Sequence, residues 1–322
     1  MHKQLLILGC SQTKRQVSGL LPAIDRYDGS HYRVLRNYLH NKQWPDNLSI
    51  AILSVDCIVF WTKNPSEMLR KLDKLKDYHF YFQFTLNSYG EDIEPNVPSK
   101  NNDVIATFQK LSEKIGSDKV VWRYDPILLN DKYTIEYHIN YFGKLAGKLK
   151  GYSDKCVISF VDRYKKTVNN LKEFGLKEIS HNEKHRIVEE ISRIAYSNNL
   201  KIDTCAEDID LSDLNISHAK CIDDELIEKI TGYRLNLNKD KNQRSICGCV
   251  YSVDIGSYNT CRNACRYCYA NFNQKMVNKN LNLHKLDSPL LYGDISNEDK
   301  VTEKACRSDK ERQLDLSFLK HP

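Results

Sequence analysis

The apolar residues of this chain fall into short runs separated by amphipathic stretches. Residues 4 to 9, Gln-Leu-Leu-Ile-Leu-Gly, read as a buried strand entering a polar loop, and 50 to 54 as a second strand. Between them the pattern predicts one helix, with Ser30 as N-cap and Tyr32, Leu35 and Leu39 along one face. Beyond residue 54 the alternation becomes regular. Strands are predicted over Cys57–Trp61, Tyr81–Leu86, Val120–Tyr124, Cys156–Phe160 and Leu200–Cys205, each rich in β-branched or aromatic residues. Helices are predicted between them over Pro65–Leu75, Asn102–Ile115, Thr134–Leu149 and Glu183–Tyr196, where apolar residues recur at three and four spacing. Ser180 and Glu183 form a capping-box signature at the start of the last.

Strand and helix in strict alternation build an α/β protein with a parallel sheet, open or closed into a barrel. In either form ligands gather at the C-terminal ends of the strands. The polar residues stand there: Thr62, Lys63 and Asn64; Thr85 and Asn87; Arg123 and Asp125; Ser159 and Asp162; Thr204, Cys205 and Glu207. As a set they predict the rim of one site. Taken singly, each is also what the start of any polar loop provides.

Composition narrows the class. The chain has 322 residues, 41% hydrophobic and 28% charged, enough for one large core or two modest ones. Its longest apolar runs, such as residues 5 to 8 and 58 to 61, fall far below the roughly 20 residues that span a bilayer. No leader pattern opens it at Met1-His2-Lys3-Gln4, so a soluble protein of a reducing cytoplasm, with no membrane partner, is expected. The net charge of +6 is spread among acids rather than gathered in blocks, which is compatible with a nucleic-acid partner without requiring one.

The eleven cysteines change the picture most. Cys261, Cys265 and Cys268 are spaced C-x3-C-x2-C, with Tyr267 directly before the third. Three thiolates on one loop can hold three irons of a four-iron four-sulfur cluster and leave the fourth iron open. The radical S-adenosylmethionine class uses this spacing. There S-adenosylmethionine occupies the open iron, and an electron donor such as flavodoxin or ferredoxin reduces the cluster. A zinc site drawing on Cys247 or Cys249, an electron-transfer cluster completed by either, and unliganded structural thiols are the competing readings. Cys10, Cys57 and Cys156 lie in or beside apolar strands and read as small buried hydrophobes. Cys205 and Cys221 remain open between ligand, supporting residue and packing, and Cys306 has no argument behind it.

Four segments carry a resemblance: Val55-Asp56-Cys57-Ile58-Val59-Phe60-Trp61-Thr62-Lys63-Asn64-Pro65, Tyr81-Phe82-Gln83-Phe84-Thr85-Leu86, Trp122-Arg123-Tyr124-Asp125-Pro126-Ile127, and Asp254-Ile255-Gly256-x-Tyr258-x-Thr260-Cys261. From about Val55 to about Asn271 the chain resembles the bacterial family called domain of unknown function 1848. That likeness implies a barrel-like domain with a C-terminal cysteine cluster similar to that of radical S-adenosylmethionine enzymes. A chemical analogue is spore photoproduct lyase, which resembles the chain in a Cys-Tyr pair at the third ligand. Residues 1 to 54 resemble instead domain of unknown function 6884, through Gly9-Cys10-Ser11-x-x-Lys14 and Leu21-Pro22-Ala23-x-x-x-Tyr27-x-Gly29.

The expected organisation is thus a partial N-terminal α/β segment over 1–54, a barrel-like domain over 55–235, the cluster segment over 236–290 and a charged tail over 291–322. The cluster loop must fold back over the barrel mouth, with the Leu5 to Leu8 strand standing in for the first barrel strand. For the cofactor, Arg123 is the candidate for its carboxylate, Asp125 or Glu207 for its ribose or amine, and Thr85 and Tyr267 for its surroundings. A structural Arg123–Asp125 ion pair is the plain alternative. The function expected is radical hydrogen abstraction from an unknown substrate, with a nucleic-acid base or nucleoside favoured; the rival is a non-catalytic zinc or iron-sulfur module for nucleic-acid or protein interaction.

Overall fold

The computed structural model describes residues 4–8, 55–254, 256–284 and 292–293. The predicted strand over 50 to 54, the helix after Ser30, Cys10 and Cys306 lie outside them. Eight strands run in chain order as β1 (Gln4–Leu8), β2 (Val55–Thr62), β3 (Phe80–Thr85), β4 (Val120–Ile127), β5 (Lys155–Phe160), β6 (Lys201–Thr204), β7 (Ser217–His218) and β8 (Val253–Asp254). All neighbours pair in parallel, in the order β7-β6-β5-β4-β3-β2-β1-β8. Among the described residues the two ends form no ladder with each other, so the α/β sheet is barrel-like in its winding but not closed there. Strand β1 takes the place beside β2 expected of it, with Leu6 opposite Ile58.

The α-helices are α1 (Ser66–Leu69), α2 (Ile105–Ile115), α3 (Ile135–Leu149), α4 (Lys165–Leu171), α5 (His181–Ser197), α6 (Asp224–Thr231) and α7 (Gln274–Asn282). The one long helix predicted over Pro65–Leu75 is in fact α1 followed by a separate 3-10 turn, Leu72–Leu75. The backbone breaks at Lys71 (φ −126°, ψ 2°), although Met68, Leu72 and Leu75 are buried as the spacing requires. Helix α2 is led in by a π turn over Lys100–Val104 whose N-cap, Ser99, accepts from the Asn102 amide. At α5 both arms of the Ser180–Glu183 capping box are made.

Each central strand has two buried faces. Ile58, Phe60, Phe82, Phe84, Trp122, Tyr124 and Ile158 point to one and pack under α2, α3 and α5. Trp122 stacks on Phe142 at 4.8 Å and donates its indole N–H to the Leu86 carbonyl at 2.9 Å. The other face carries Cys57, Val59, Tyr81, Val121 and Val157, and is covered by α6 and the cysteine-bearing chain from Cys205 to Val250. Near-continuous apolar strands are what a parallel sheet covered on both sides demands. No helix among the described residues is long and apolar enough to cross a membrane.

Candidate functional site

The loop carrying Cys261, Cys265 and Cys268 follows β8 and folds back onto the segments that leave the C-terminal ends of β2 and β3. Four contacts fix it there. The Asn96 side chain donates to the Arg262 carbonyl at 2.7 Å, the Asn96 amide to the Asn263 carbonyl at 3.3 Å, and the Arg266 amide to the Ile93 carbonyl at 2.9 Å. The Tyr267 hydroxyl donates to Glu94 Oε1. Within the loop the Cys268 amide bonds the Cys265 carbonyl at 3.0 Å, and Asn271 donates to the Cys261 carbonyl at 2.7 Å. Asn259 and Ala264 adopt positive φ (56° and 53°), which turns the chain tightly enough to bring three cysteines into one short loop.

Beneath the loop lies a buried charge cluster. Glu94 is 1% exposed and pairs with Lys63 and Lys100, each at 2.8 Å. Burial opposes its ionisation, but the two ammonium groups outweigh that cost and bring its pKa down to about 2. Burial likewise works against the charge of Lys63, and Glu94, then Cys265, outweigh it and hold the ammonium above its ordinary value. Cys265 is buried, which pushes its thiol up; Lys63 opposes that shift, while Cys268 and Cys261 stand near enough to raise it further. Tyr267 lies between Lys63 (5.4 Å from ring centroid to Nζ) and Tyr89 (5.9 Å between rings), and its hydroxyl also accepts from Asn87 at 3.3 Å.

As the side chains stand, no group of three or more histidine, cysteine, aspartate or glutamate residues among the described residues is assembled to hold a metal ion. The surroundings of the loop nonetheless suit a group held by its thiolates. Lys63 supplies a counter-charge beside Cys265, and the buried side-chain oxygens of Asn87, Asn263 and Asn271 have no hydrogen-bond partner.

The other expected site residues divide. Arg123 is 5% exposed and gives its Nε to Asp125 at 2.9 Å, a second guanidinium contact to the same carboxylate, and its Nη1 to Gln83 at 3.3 Å and Cys221 Sγ at 2.9 Å. Arg123 and Asp125 thus form an ion pair, with Gln83 and Cys221 as further acceptors of the guanidinium. Glu207 accepts from the Phe160 amide at 2.7 Å and pairs with Lys184 at 3.0 Å, so it ties β5 to α5. Thr85 ends β3 in register with Arg123. Asp162 pairs with Arg244 at 3.0 Å. The rim residues thus gather around the loop (Lys63, Asn87 and Tyr267) and around Cys221 (Arg123, Asp125 and Cys205), and the two groups meet where Asn87 donates to the Asp125 carbonyl at 2.8 Å. Cys247 and Cys249 stand beside Cys221: Cys249 Sγ accepts from the Cys221 amide at 3.2 Å, and Cys247 is in contact with Cys249. Glu94, Asn96 and Lys100 were not picked out from sequence. They lie in a turn-rich stretch with Gly90, Pro95 and Pro98, where polar residues carry no periodic signal.

The family model described as Domain of unknown function (DUF1848) matches residues 29–270, which takes in the cysteine loop and starts ahead of position 55. No curated protein matches the chain. Among solved structures, a candidate alpha-L-fucosidase from Bacteroides thetaiotaomicron is similar at 11% identity, over 76% of this chain and 91% of that chain, with a TM-score of 0.26. A likeness at that score carries no argument.

Proposed function

The chain belongs to the DUF1848 family, and we propose that it is a radical S-adenosylmethionine enzyme whose four-iron four-sulfur cluster is held by Cys261, Cys265 and Cys268. One observation carries the reading: a C-x3-C-x2-C loop seated over the C-terminal strand ends of a parallel sheet, with a half-buried lysine beside its middle cysteine. When bound and reduced by one external electron, the cluster supplies reductive cleavage of S-adenosylmethionine to methionine and a 5'-deoxyadenosyl radical, which takes a hydrogen atom from substrate to give 5'-deoxyadenosine and a substrate radical.

The chain's own residues then have distinct tasks. Lys63 neutralises charge next to Cys265. Glu94 holds Lys63, Lys100 and Tyr267 in one arrangement, which positions the loop on the sheet. Tyr267 covers the strand ends with an apolar ring. Arg123, already engaged by Asp125, supports the sheet rather than clamping a carboxylate. For the substrate, a nucleic-acid base or nucleoside is the favoured class, and the net charge of +6 suits a base presented on an anionic nucleic-acid backbone.

The test is anaerobic purification, reconstitution with iron and sulfide, reduction, and measurement of 5'-deoxyadenosine formed from S-adenosylmethionine. The parent is expected to produce it and Cys261→Ala, Cys265→Ala and Cys268→Ala to lose it. No 5'-deoxyadenosine from a parent that demonstrably holds the cluster would end this reading.

A further inference from the structure

Four cysteines outside the loop converge on the sheet face opposite the long helices. Cys205 follows β6, Cys221 lies between β7 and α6, and Cys247 and Cys249 come from the chain between α6 and β8. The Cys205 and Cys221 sulfurs are 3.3 Å apart. Cys221 is in thiol contact with Cys249, and Cys249 with Cys247. Cys221, Cys247 and Cys249 are buried and Cys205 half-buried, and all four are free of disulfides. We propose that Cys205, Cys221, Cys247 and Cys249 form a mononuclear tetrathiolate site for a zinc ion, separate from the C-x3-C-x2-C loop.

Three features favour this over packing. First, N–H donors are aimed at sulfur: Arg123 Nη1 at Cys221 Sγ (2.9 Å), and the Cys221 and Ile222 amides at Cys249 Sγ (3.2 and 3.5 Å). A thiol is a weak acceptor that needs no such company, whereas metal-bound thiolates are regularly supported by donors of this kind. Second, four thiolates and one Zn²⁺ leave two negative charges, and the buried Arg123 guanidinium, which also pairs with Asp125, donates to one of the sulfurs. Third, the segment bearing Cys221 is held from behind. Tyr81 and Gln83 donate to the Cys221 carbonyl at 2.8 and 2.9 Å, and the Val250 amide donates to Ile222 at 3.2 Å, tying the Cys221 and Cys249 strands of chain together.

The spacing also selects the metal class. With zinc-sulfur bonds of about 2.3 Å, tetrahedral geometry sets sulfurs about 3.8 Å apart. The 3.3 Å between Cys205 and Cys221 is roughly half an ångström short of that, so this pair must spread, and with no three of the thiols poised as ligands in this structure the Cys247 and Cys249 side chains must turn toward it to admit one ion. In a cubane each cysteine binds a different iron, which separates the sulfurs by the width of the cluster. Gly248 fits the same picture: a Cβ there would meet the Lys220 side chain at 3.1 Å, so the residue between Cys247 and Cys249 has little room.

The experiment uses the full chain purified under reducing, anaerobic conditions, with zinc and iron measured per chain and zinc K-edge absorption recorded. One equivalent of zinc in an all-sulfur shell is expected. It should persist in a Cys261→Ala, Cys265→Ala, Cys268→Ala triple variant and fall at least tenfold in Cys205→Ser with Cys249→Ser. If that double variant does not fold, the parent and the triple variant are stripped and loaded with cobalt, which should give the charge-transfer absorption of a tetrathiolate in both. Zinc lost with the loop cysteines, a Cys205–Cys221 disulfide in zinc-free protein, or cobalt without sulfur charge transfer would each overturn the proposal. Because iron and 5'-deoxyadenosine report on the loop and zinc on this site, either can fail without the other.

Discussion

Tyr267 donates its hydroxyl to Glu94, and through this bond the residue before the last loop cysteine is tied to a carboxylate that already holds two lysines. The partners are 173 residues apart in the chain. The contact makes the cysteine loop part of the sheet's rim rather than an appendage.

Tyr267→Phe keeps the ring and deletes the bond. Glu94 retains Lys63 and Lys100, so the cost should be about 1–2 kcal/mol, near the lower end for a hydrogen bond to a charged group. Urea denaturation of parent and variant measures it, and an unchanged midpoint would mean the loop is held without this tyrosine.

Glu94→Gln removes the only charge that its own pair of lysines shares. Taking the carboxylate from two half-buried ammonium groups should cost about 1.5–3 kcal/mol, the range for hydrogen bonds to charged groups. The parent should also show an acid limb from this residue. Its folded pKa, about 2, lies below the ordinary 4.5, so the stabilisation is present above the ordinary value and lost as pH falls toward 2. Stability measured from pH 5 downward should decline in the parent and less steeply in Glu94→Gln.

His138 is expected to add a separate limb at milder acidity. It is fully buried, with Nδ1 2.8 Å from the Tyr124 hydroxyl and Nε2 2.9 Å from the Leu128 carbonyl. An imidazole with Nε2–H donating and Nδ1 accepting satisfies both. Burial brings its pKa down to about 4, with the Leu128 bond opposing, so between 6.5 and 4 the unfolded chain binds a proton the folded chain does not. Stability should therefore fall as pH drops through that interval, and His138→Gln should flatten it; a profile with no slope between pH 6.5 and 4 would contradict this assignment.

Ser180→Ala should cost about 1 kcal/mol, because the hydroxyl caps the Glu183 amide and Glu183 returns a bond to the Ser180 amide. Thermal unfolding reads the change. Ser180→Asp, which can cap in the same way, should recover most of it.

What was legible in the sequence follows from local physics. The five central strands announce themselves because a sheet covered on both faces needs apolar β-branched and aromatic runs, and α2, α3 and α5 because one stripe of each is buried at three and four spacing. The cysteine triplet was legible because its spacing is a property of one short loop. Helices α4, α6 and α7 were missed since each buries only one or two residues, even though Asp223 caps α6 and Gly232, at φ 74°, closes it. Tertiary structure alone decided three things. It distributed the rim between the cysteine loop after β8 and the Cys221 segment between β7 and α6, a placement made by segments far from the strand ends in sequence. It added Gln83 and Cys221 to the Arg123–Asp125 pair that the two-residue spacing already offered. And it brought Cys205, Cys221, Cys247 and Cys249 together from positions up to 44 residues apart, a convergence that no local spacing encodes because it is made by the crossovers between β6, α6 and β8.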